Sequence, residues 1–250
     1  MRKITVAILC VIAGGVLGWG SLVASYPAPG TSNLNGIGYV NSTTMCATTN
    51  TPDYVWKFNR SNGSVTSSFA APTTNTAGCD YGVVGSTAYI FVCTGSYVYR
   101  MGYSTGSIYG SWATPDPDCR GVAFQPFWST PYIVLTESFT PGRIFRCDAI
   151  TGSVSASFNL GFRPYGIAWD DRNECYWVTD LTHGLVRRIS NEGLTLGSFS
   201  INYDGYGLAY DEFSERVWVG RNDPHYMYVY ETAGSAVEPA SLGKVKAIYR

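Results

Sequence analysis

Four carboxylates are the residues of this sequence best placed to bind a metal. They fall in the fourth and fifth of five similar stretches, at Asp170, Asp171, Asp180 and Asp211. Hard oxygen ligands of this kind bind Ca²⁺ when several converge on one point. An aspartate that follows a strand more commonly caps a turn with its own side chain. We therefore expect either turn caps with no cofactor or a Ca²⁺ site.

Other catalytic groups are scarce. Past the N-terminal apolar run, the histidines are His183 and His225, and both stand beside turn-forming residues. Two isolated histidines are too few ligands to indicate a zinc site. The sequence contains no nucleophile elbow, metalloprotease motif or phosphate-binding loop. This scarcity favours a protein that is not an enzyme.

The aromatic residues indicate a binding function instead. The chain has 19 Tyr, 7 Trp and 11 Phe, and exposed Tyr and Trp rings stack on sugars or fill protein interfaces. Tyr81, Tyr165 and Tyr206 each precede a glycine that opens an apolar segment, and Arg120 takes the matching place in a further segment. Together they would ring one mouth of a channel and hold a glycan or a protein surface. Their alternative role is packing between structural units.

The charge balance excludes nucleic acid as a partner. The 250 residues include 17 Lys and Arg against 18 Asp and Glu, a net charge of -1. A nucleic-acid binder needs a basic surface that displaces counterions from phosphates. Aromatic residues at 15% are also too many for a disordered chain.

The first 25 residues have the pattern of a secretory signal. Arg2 and Lys3 precede an apolar run that extends to about Ala24, where small residues would suit a signal peptidase. The run could instead remain as an uncleaved anchor, because about 20 apolar residues span a bilayer. We expect residues 1–25 to be signal or anchor and residues 26–35 an extended leader. The protein would be secreted or at the cell surface, with no other membrane contact.

One pattern recurs five times between residues 36 and 240. Its first landmark is a glycine that opens a short apolar segment: Gly36, Gly82, Gly121, Gly166 and Gly207. Its second landmark is a turn glycine: Gly63, Gly106, Gly152, Gly193 and Gly234. Each unit also contains four short segments rich in β-branched or aromatic residues. Four strands in about 40–45 residues are typical of a β-propeller blade.

The fourth and fifth units carry a family resemblance. Pro164–Asp170 followed by Tyr176–Asp180 resembles the NHL and YVTN propeller repeats, as does Gly207–Asp211 followed by Val217–Val219. The resemblance implies that the first segment is the inner strand and the second its hairpin partner. Unit two departs, with Gly85 at the aromatic position. Gluconolactonase-type propellers bind a cation in the channel, which makes a metal-dependent hydrolase or lyase the alternative to a non-catalytic binding module.

Five units predict an all-β propeller of five four-stranded blades, with six blades as the alternative. Unit five ends atypically, because Ala240 stands where units one to four carry Phe69, Trp112, Phe158 and Phe199. The ring could also close by homo-oligomerisation. The basic tail, residues 241–250, is either a charged edge strand or a sorting signal. A self-assembling surface or filament subunit is therefore a third interpretation.

Six cysteines lie beyond the apolar run. An even number in an exported chain predicts three disulfides, and the alternative is buried free thiols. Strand order in the repeat favours the pairs Cys79–Cys119, Cys147–Cys175 and Cys46–Cys93. A tight hairpin would instead bring Cys79 to Cys93.

Overall fold

The computed structural model describes residues 20–31, 33–127 and 130–232 as a five-bladed β-propeller. Each blade is one antiparallel sheet of four strands. Blade one contains β2 (Asn33–Tyr39), β3 (Thr44–Asn50), β4 (Tyr54–Asn59) and β5 (Val65–Ala70). Blade two contains β6 (Gly78–Val84), β7 (Thr87–Cys93), β8 (Tyr97–Gly102) and β9 (Ile108–Ala113). Blade three contains β10 (Cys119–Gln125), β11 (Tyr132–Glu137), β12 (Arg143–Asp148) and β13 (Val154–Asn159).

The two remaining blades complete the ring. Blade four contains β14 (Pro164–Asp170), β15 (Cys175–Asp180), β16 (Leu185–Ser190) and β17 (Thr195–Ser200). Blade five contains β18 (Leu208–Asp211), β19 (Arg216–Arg221), β20 (Tyr226–Glu231) and β1 (Ser21–Pro27). A short 3₁₀ turn, Pro29–Thr31, joins β1 to β2. Among the described residues, no helix has the length and apolar character needed to cross a membrane.

The hydrophobic core lies in the seams between blades. Inner strands such as β14 are buried along nearly their whole length, whereas outer strands such as β13 alternate between exposed and half-buried residues. Five apolar clusters form, and each joins one blade to its neighbour around the ring. Successive side chains of a strand point to opposite faces. Both faces of an inner strand are buried because a neighbouring blade lies on each side of it.

A ring of five glycines lines the channel where the inner strands approach each other. Its members are Gly36, Gly78, Gly121, Gly166 and Gly207, one per blade. A Cβ built on Gly78 would lie 2.5 Å from the carbonyl oxygen of Arg120, and one on Gly207 would lie 2.9 Å from the carbonyl carbon of Gly36. Real Cβ atoms do not approach backbone so closely, so the close approach of two backbones requires glycine.

The blade-two member of this ring corrects the sequence-based register. Gly82 was the expected landmark, but Gly78 occupies the ring position, four residues earlier. With that register, Gly78-Cys79-Asp80-Tyr81 aligns with Gly166-Ile167-Ala168-Trp169, and Tyr81 is the aromatic that unit two seemed to lack.

The ring closes through the N-terminal strand β1. β1 pairs antiparallel with β20 and is the outermost strand of blade five. The sequence pattern assigned this position to residues near Ala240, which lie outside the described residues. Tyr26 stacks on Trp218, with ring centroids 5.4 Å apart. β1 includes Ala24, so signal cleavage at that point would remove most of the strand. Residues 1–19 and the basic tail also lie outside the described residues.

An ion pair adds a second link between blades one and five. Arg60, in the turn after β4, donates a hydrogen bond to the fully buried carboxylate of Asp211. The guanidinium also lies over the ring of Phe213, 5.0 Å from its centroid. The first and last blades are thus joined by the chain that runs from β1 into β2, by this charge pair and by the contact of Arg60 with Phe213.

The six cysteines of the propeller are buried free thiols in the structure, and the three predicted disulfides are not formed. Cys46 and Cys79 face each other across the seam of blades one and two, with sulfurs 4.0 Å apart. Cys93, Cys119 and Cys147 share the next seam. The expected partners Cys79 and Cys119 therefore lie in different seams.

Substitution in the glycine ring should weaken the fold strongly. Gly121→Ala would drive a methyl group against the carbonyl oxygen of Tyr165, and we expect a loss of about 3 kcal/mol or more in unfolding free energy. Gly110→Ala is the matched control. Its Cβ would meet only the Arg100 guanidinium at 3.6 Å, so stability should change by less than about 1 kcal/mol. Urea unfolding measures the unfolding free energy of both variants. Equal losses of stability in the two would show that the close approach of backbones at Gly121 does not require glycine.

The thiols should resist alkylation while the protein is folded. Burial raises the pKa of Cys93 and of Cys175 to about 11 and that of Cys147 to about 12, and thiolate is the reactive form. We expect no iodoacetamide adduct on the six thiols at pH 8, and six adducts in urea without reductant, counted by peptide mass spectrometry. Adducts that appear in urea only after reduction would show disulfides instead.

Candidate functional site

The channel has two mouths with different chemistry. We term the mouth at which the inner strands begin the N-mouth, and the mouth at which they end the C-mouth. The N-mouth opens into a cavity of about 500 Å³ and the C-mouth into one of about 280 Å³. The ring of glycines lies between them, so each cavity is built from residues on its own side of that ring.

Residues that precede the ring glycines converge on the N-mouth. In chain order they are Asn35, Ala77, Arg120, Tyr165 and Tyr206. Three of the four predicted ligand residues, Arg120, Tyr165 and Tyr206, line its cavity, as does Asn35. Tyr81 does not, because the corrected register moves it to the C-mouth. The prediction of one ring of four residues was therefore wrong for Tyr81.

The two tyrosines form one apolar wall of the N-mouth. Their rings meet edge to face, with centroids 5.0 Å apart. Burial raises the pKa of Tyr165 to about 12 and also raises the pKa of Tyr206, so both phenols remain hydrogen-bond donors. Arg120 donates to Asp118 at 3.1 Å and presents its positive charge beside them. The wall combines aromatic ring surface with fixed polar groups.

Side-chain amides form much of the rest of the N-mouth. Five asparagines from blades one, two and five line the cavity: Asn33, Asn35, Asn50, Asn75 and Asn222. Asn35 donates to the carbonyl oxygen of Thr76 at 2.7 Å and is itself buried. The Oδ1 atoms of Asn50 and Asn222 are buried without a hydrogen-bond partner. An unpaired buried acceptor lowers the stability of the fold.

The C-mouth carries a ring of aromatics and an unexpected acid. Each inner strand places an aromatic there, three residues after its ring glycine: Tyr39, Tyr81, Phe124, Trp169 and Tyr210. Asp80 stands where the other blades carry glycine or alanine. Its carboxylate accepts from the backbone N–H of Phe124 at 2.7 Å and of Tyr81 at 2.8 Å.

Burial raises the pKa of Asp80 to about 7, even though these two backbone donors favour the ionised form. Glu212, the other acid of the cavity, raises it further. Sequence analysis missed Asp80 because the register of unit two was displaced. The signal was present, since Gly78-Cys79-Asp80-Tyr81 has the spacing of the other four units.

The four predicted metal ligands do not meet at one point. Asp180 takes hydrogen bonds from Thr182, His183 and Arg187 in the turn after β15, at the end of blade four away from Asp170. Among the described residues, no group of three or more His, Cys, Asp or Glu could hold a metal ion.

The other three acids accept hydrogen bonds from protein groups at separate places. Asp170 accepts from Asn173 at 2.9 Å, and Asp171 accepts from the indole of Trp169 at 3.1 Å. Asp211 binds Arg60 and Ser214. The contacts of Asp170 with Asn173 and of Asp211 with Ser214 lie within turns, where an aspartate side chain commonly accepts hydrogen bonds.

Comparisons with known proteins support the fold. The structure is similar to a glutaminyl cyclase from Myxococcus xanthus (TM-score 0.67, 8% identity, 85% of this chain and 95% of that chain). It is also similar to a chain of a mitotic checkpoint complex (TM-score 0.54, 12% identity, 85% and 95%). A streptogramin B lyase structure gives a TM-score of 0.47 at 16% identity, with coverage of 82% and 67%. At these identities the first two show the fold alone. The sequence matches no protein-family model and no curated protein.

Asp80 should make stability depend on pH. Because its folded pKa of about 7 exceeds the unfolded value of about 3.9, the folded protein keeps a proton that the unfolded chain releases. Asp80 therefore stabilises the fold below about pH 4, and this contribution is lost as pH rises towards 7. The stability of wild type relative to Asp80→Ala should fall by at most about 1.4 kcal/mol per pH unit across that window. Urea unfolding of both proteins from pH 4.5 to 7.5 measures this difference. Unfolding free energies that change with pH in parallel for the two proteins would contradict the prediction.

Proposed function

We propose that the protein is a non-catalytic binding module that takes a carbohydrate or a similar hydroxyl-rich ligand at the N-mouth. The observation that carries this proposal is the convergence of two tyrosines, one arginine and five asparagines on a single cavity. None of the described residues that line this cavity is a carboxylate or a histidine. General acid–base chemistry most often uses such a group, and burial raises the pKa of the phenols of Tyr165 and Tyr206, which disfavours them as bases.

The chemistry of the N-mouth suits sugars. A side-chain amide offers two donors and an acceptor, so neighbouring asparagines can bind adjacent hydroxyls, which both donate and accept. The Tyr165–Tyr206 wall offers an apolar surface for the C–H face of a sugar ring.

The size of the cavity favours a small ligand over a protein surface. A volume of about 500 Å³ lies within the roughly 300–1,000 Å³ range of small-molecule pockets. Its lining residues stand on or beside inner strands and short connections, so little ordering is needed on binding. Preorganisation of this kind raises affinity by lowering the entropic cost.

We also propose kinship with the NHL and YVTN repeats and export from the cell. The aromatic at the end of each inner strand supports the first, and the apolar run of residues 1–25 supports the second. A metal-dependent hydrolase or lyase receives no support from Asp170, Asp171, Asp180 and Asp211, because they do not meet at one point and each accepts hydrogen bonds from protein groups. A filament subunit would depend on the basic tail, which lies outside the described residues.

Glycan-array screening followed by calorimetry tests the N-mouth. We expect a hydroxyl-rich ligand to bind, and the Tyr165→Ala/Tyr206→Ala double variant to weaken that binding by about tenfold or more through loss of ring contacts. Tyr97→Ala is the matched control, because Tyr97 is an exposed tyrosine on β8 outside the cavity. Unchanged affinity in the double variant would refute the proposed site. Binding to proteins but to no glycan would instead support the protein-surface alternative.

A further inference from the structure

The C-mouth has the composition of a cation-binding cup. Its cavity of about 280 Å³ is lined by the aromatic that stands three residues after the ring glycine of each inner strand. Two carboxyl groups, those of Asp80 and Glu212, also line it. None of the described lining residues is lysine, arginine or histidine. Aromatic rings attract cations through their negative faces, and the carboxylates add a negative charge that no described residue of the lining neutralises.

Asp80 is the residue that distinguishes this mouth from an ordinary packed plug. The equivalent residues of the other blades are small: Gly38, Ala123, Ala168 and Ala209. Asp80 is therefore a larger, acidic side chain at a position where the other blades have a small residue that serves only in packing. Backbone N–H groups of two strands, at Tyr81 and Phe124, hold the carboxylate in position. A charge retained beside apolar surface is expensive unless it is compensated, and a bound cation would compensate it.

The neighbouring positive charges do not compensate the carboxylates of the C-mouth. Arg60 is the cation near Tyr39, but it is engaged with Asp211 and lies over Phe213. Arg172 is the cation near Tyr210, but it pairs with Glu215. Asp170 and Asp171 lie near Glu212 and raise its pKa through repulsion, after burial. The electrostatic field of the C-mouth is therefore negative, and its wall is apolar.

We propose that the C-mouth binds a small soluble molecule through a trimethylammonium group. Such a group carries its charge on a methylated surface that cannot donate hydrogen bonds, so it matches aromatic walls better than a hydrated ammonium does. Tyr39 and Tyr81 are half-buried and supply accessible ring surface, and Tyr81 is fixed by an edge contact with Tyr103 at 5.2 Å. The site is independent of the N-mouth and of the function proposed for it.

Calorimetry with choline at pH 8 tests the site, and 3,3-dimethylbutan-1-ol, its neutral isostere, is the matched ligand. We expect choline to bind and the neutral analogue to bind at least about tenfold more weakly, because the cation–π and carboxylate attractions are then lost. Equal binding of the two ligands, or no binding of choline, would overturn the proposal.

Substitutions at the two acids test whether choline binds at the C-mouth. Asp80→Ala installs the residue that blades three to five carry at this position, so it should fold, and we expect it to weaken choline binding by roughly fivefold or more. Glu212→Gln removes the more exposed charge and should weaken binding less. The Tyr165→Ala/Tyr206→Ala variant should keep wild-type choline affinity, which separates this site from the N-mouth. Wild-type affinity in both acid variants would refute the assignment.

Discussion

The close approach of five backbones around the channel is the constraint on which the rest of the structure depends. Each ring glycine lies against the inner strand of the next blade, where a Cβ has no room. Hydrogen bonds reinforce these contacts, since Thr136 accepts from Gly121 and donates to the carbonyl oxygen of Tyr165 in the next blade. The ring sets the register of every inner strand. It therefore decides which side chains reach each mouth.

The two mouths follow from that register, because residues before and after the same glycine face opposite ends of the channel. The position before the ring glycine varies among blades, and at the N-mouth it yields amide, guanidinium and phenol groups. The position three residues later is aromatic in every blade. Variation at one end suits ligand recognition, whereas uniformity at the other suits packing, with Asp80 as the exception.

Closure of the ring links the two ends of the chain. β1 completes blade five, and Arg60 of blade one holds Asp211 of blade five. These contacts join residues far apart in sequence, and they protect edges that would otherwise be open to pairing with other chains. They also connect any processing of the N-terminal segment to the integrity of blade five, because β1 begins at Ser21.

The repeat alone was sufficient to predict an all-β propeller of five four-stranded blades, since each unit carries its own turn glycines and apolar segments and local sequence decides where strands begin and end. It also nominated Arg120, Tyr165 and Tyr206 for one mouth. The tertiary structure decided the register of blade two, the placement of Tyr81 and Asp80, the strand that closes blade five and the neighbours of each cysteine. These features depend on which backbones and side chains meet across a seam, and residues some forty positions apart leave no local pattern that records such a contact.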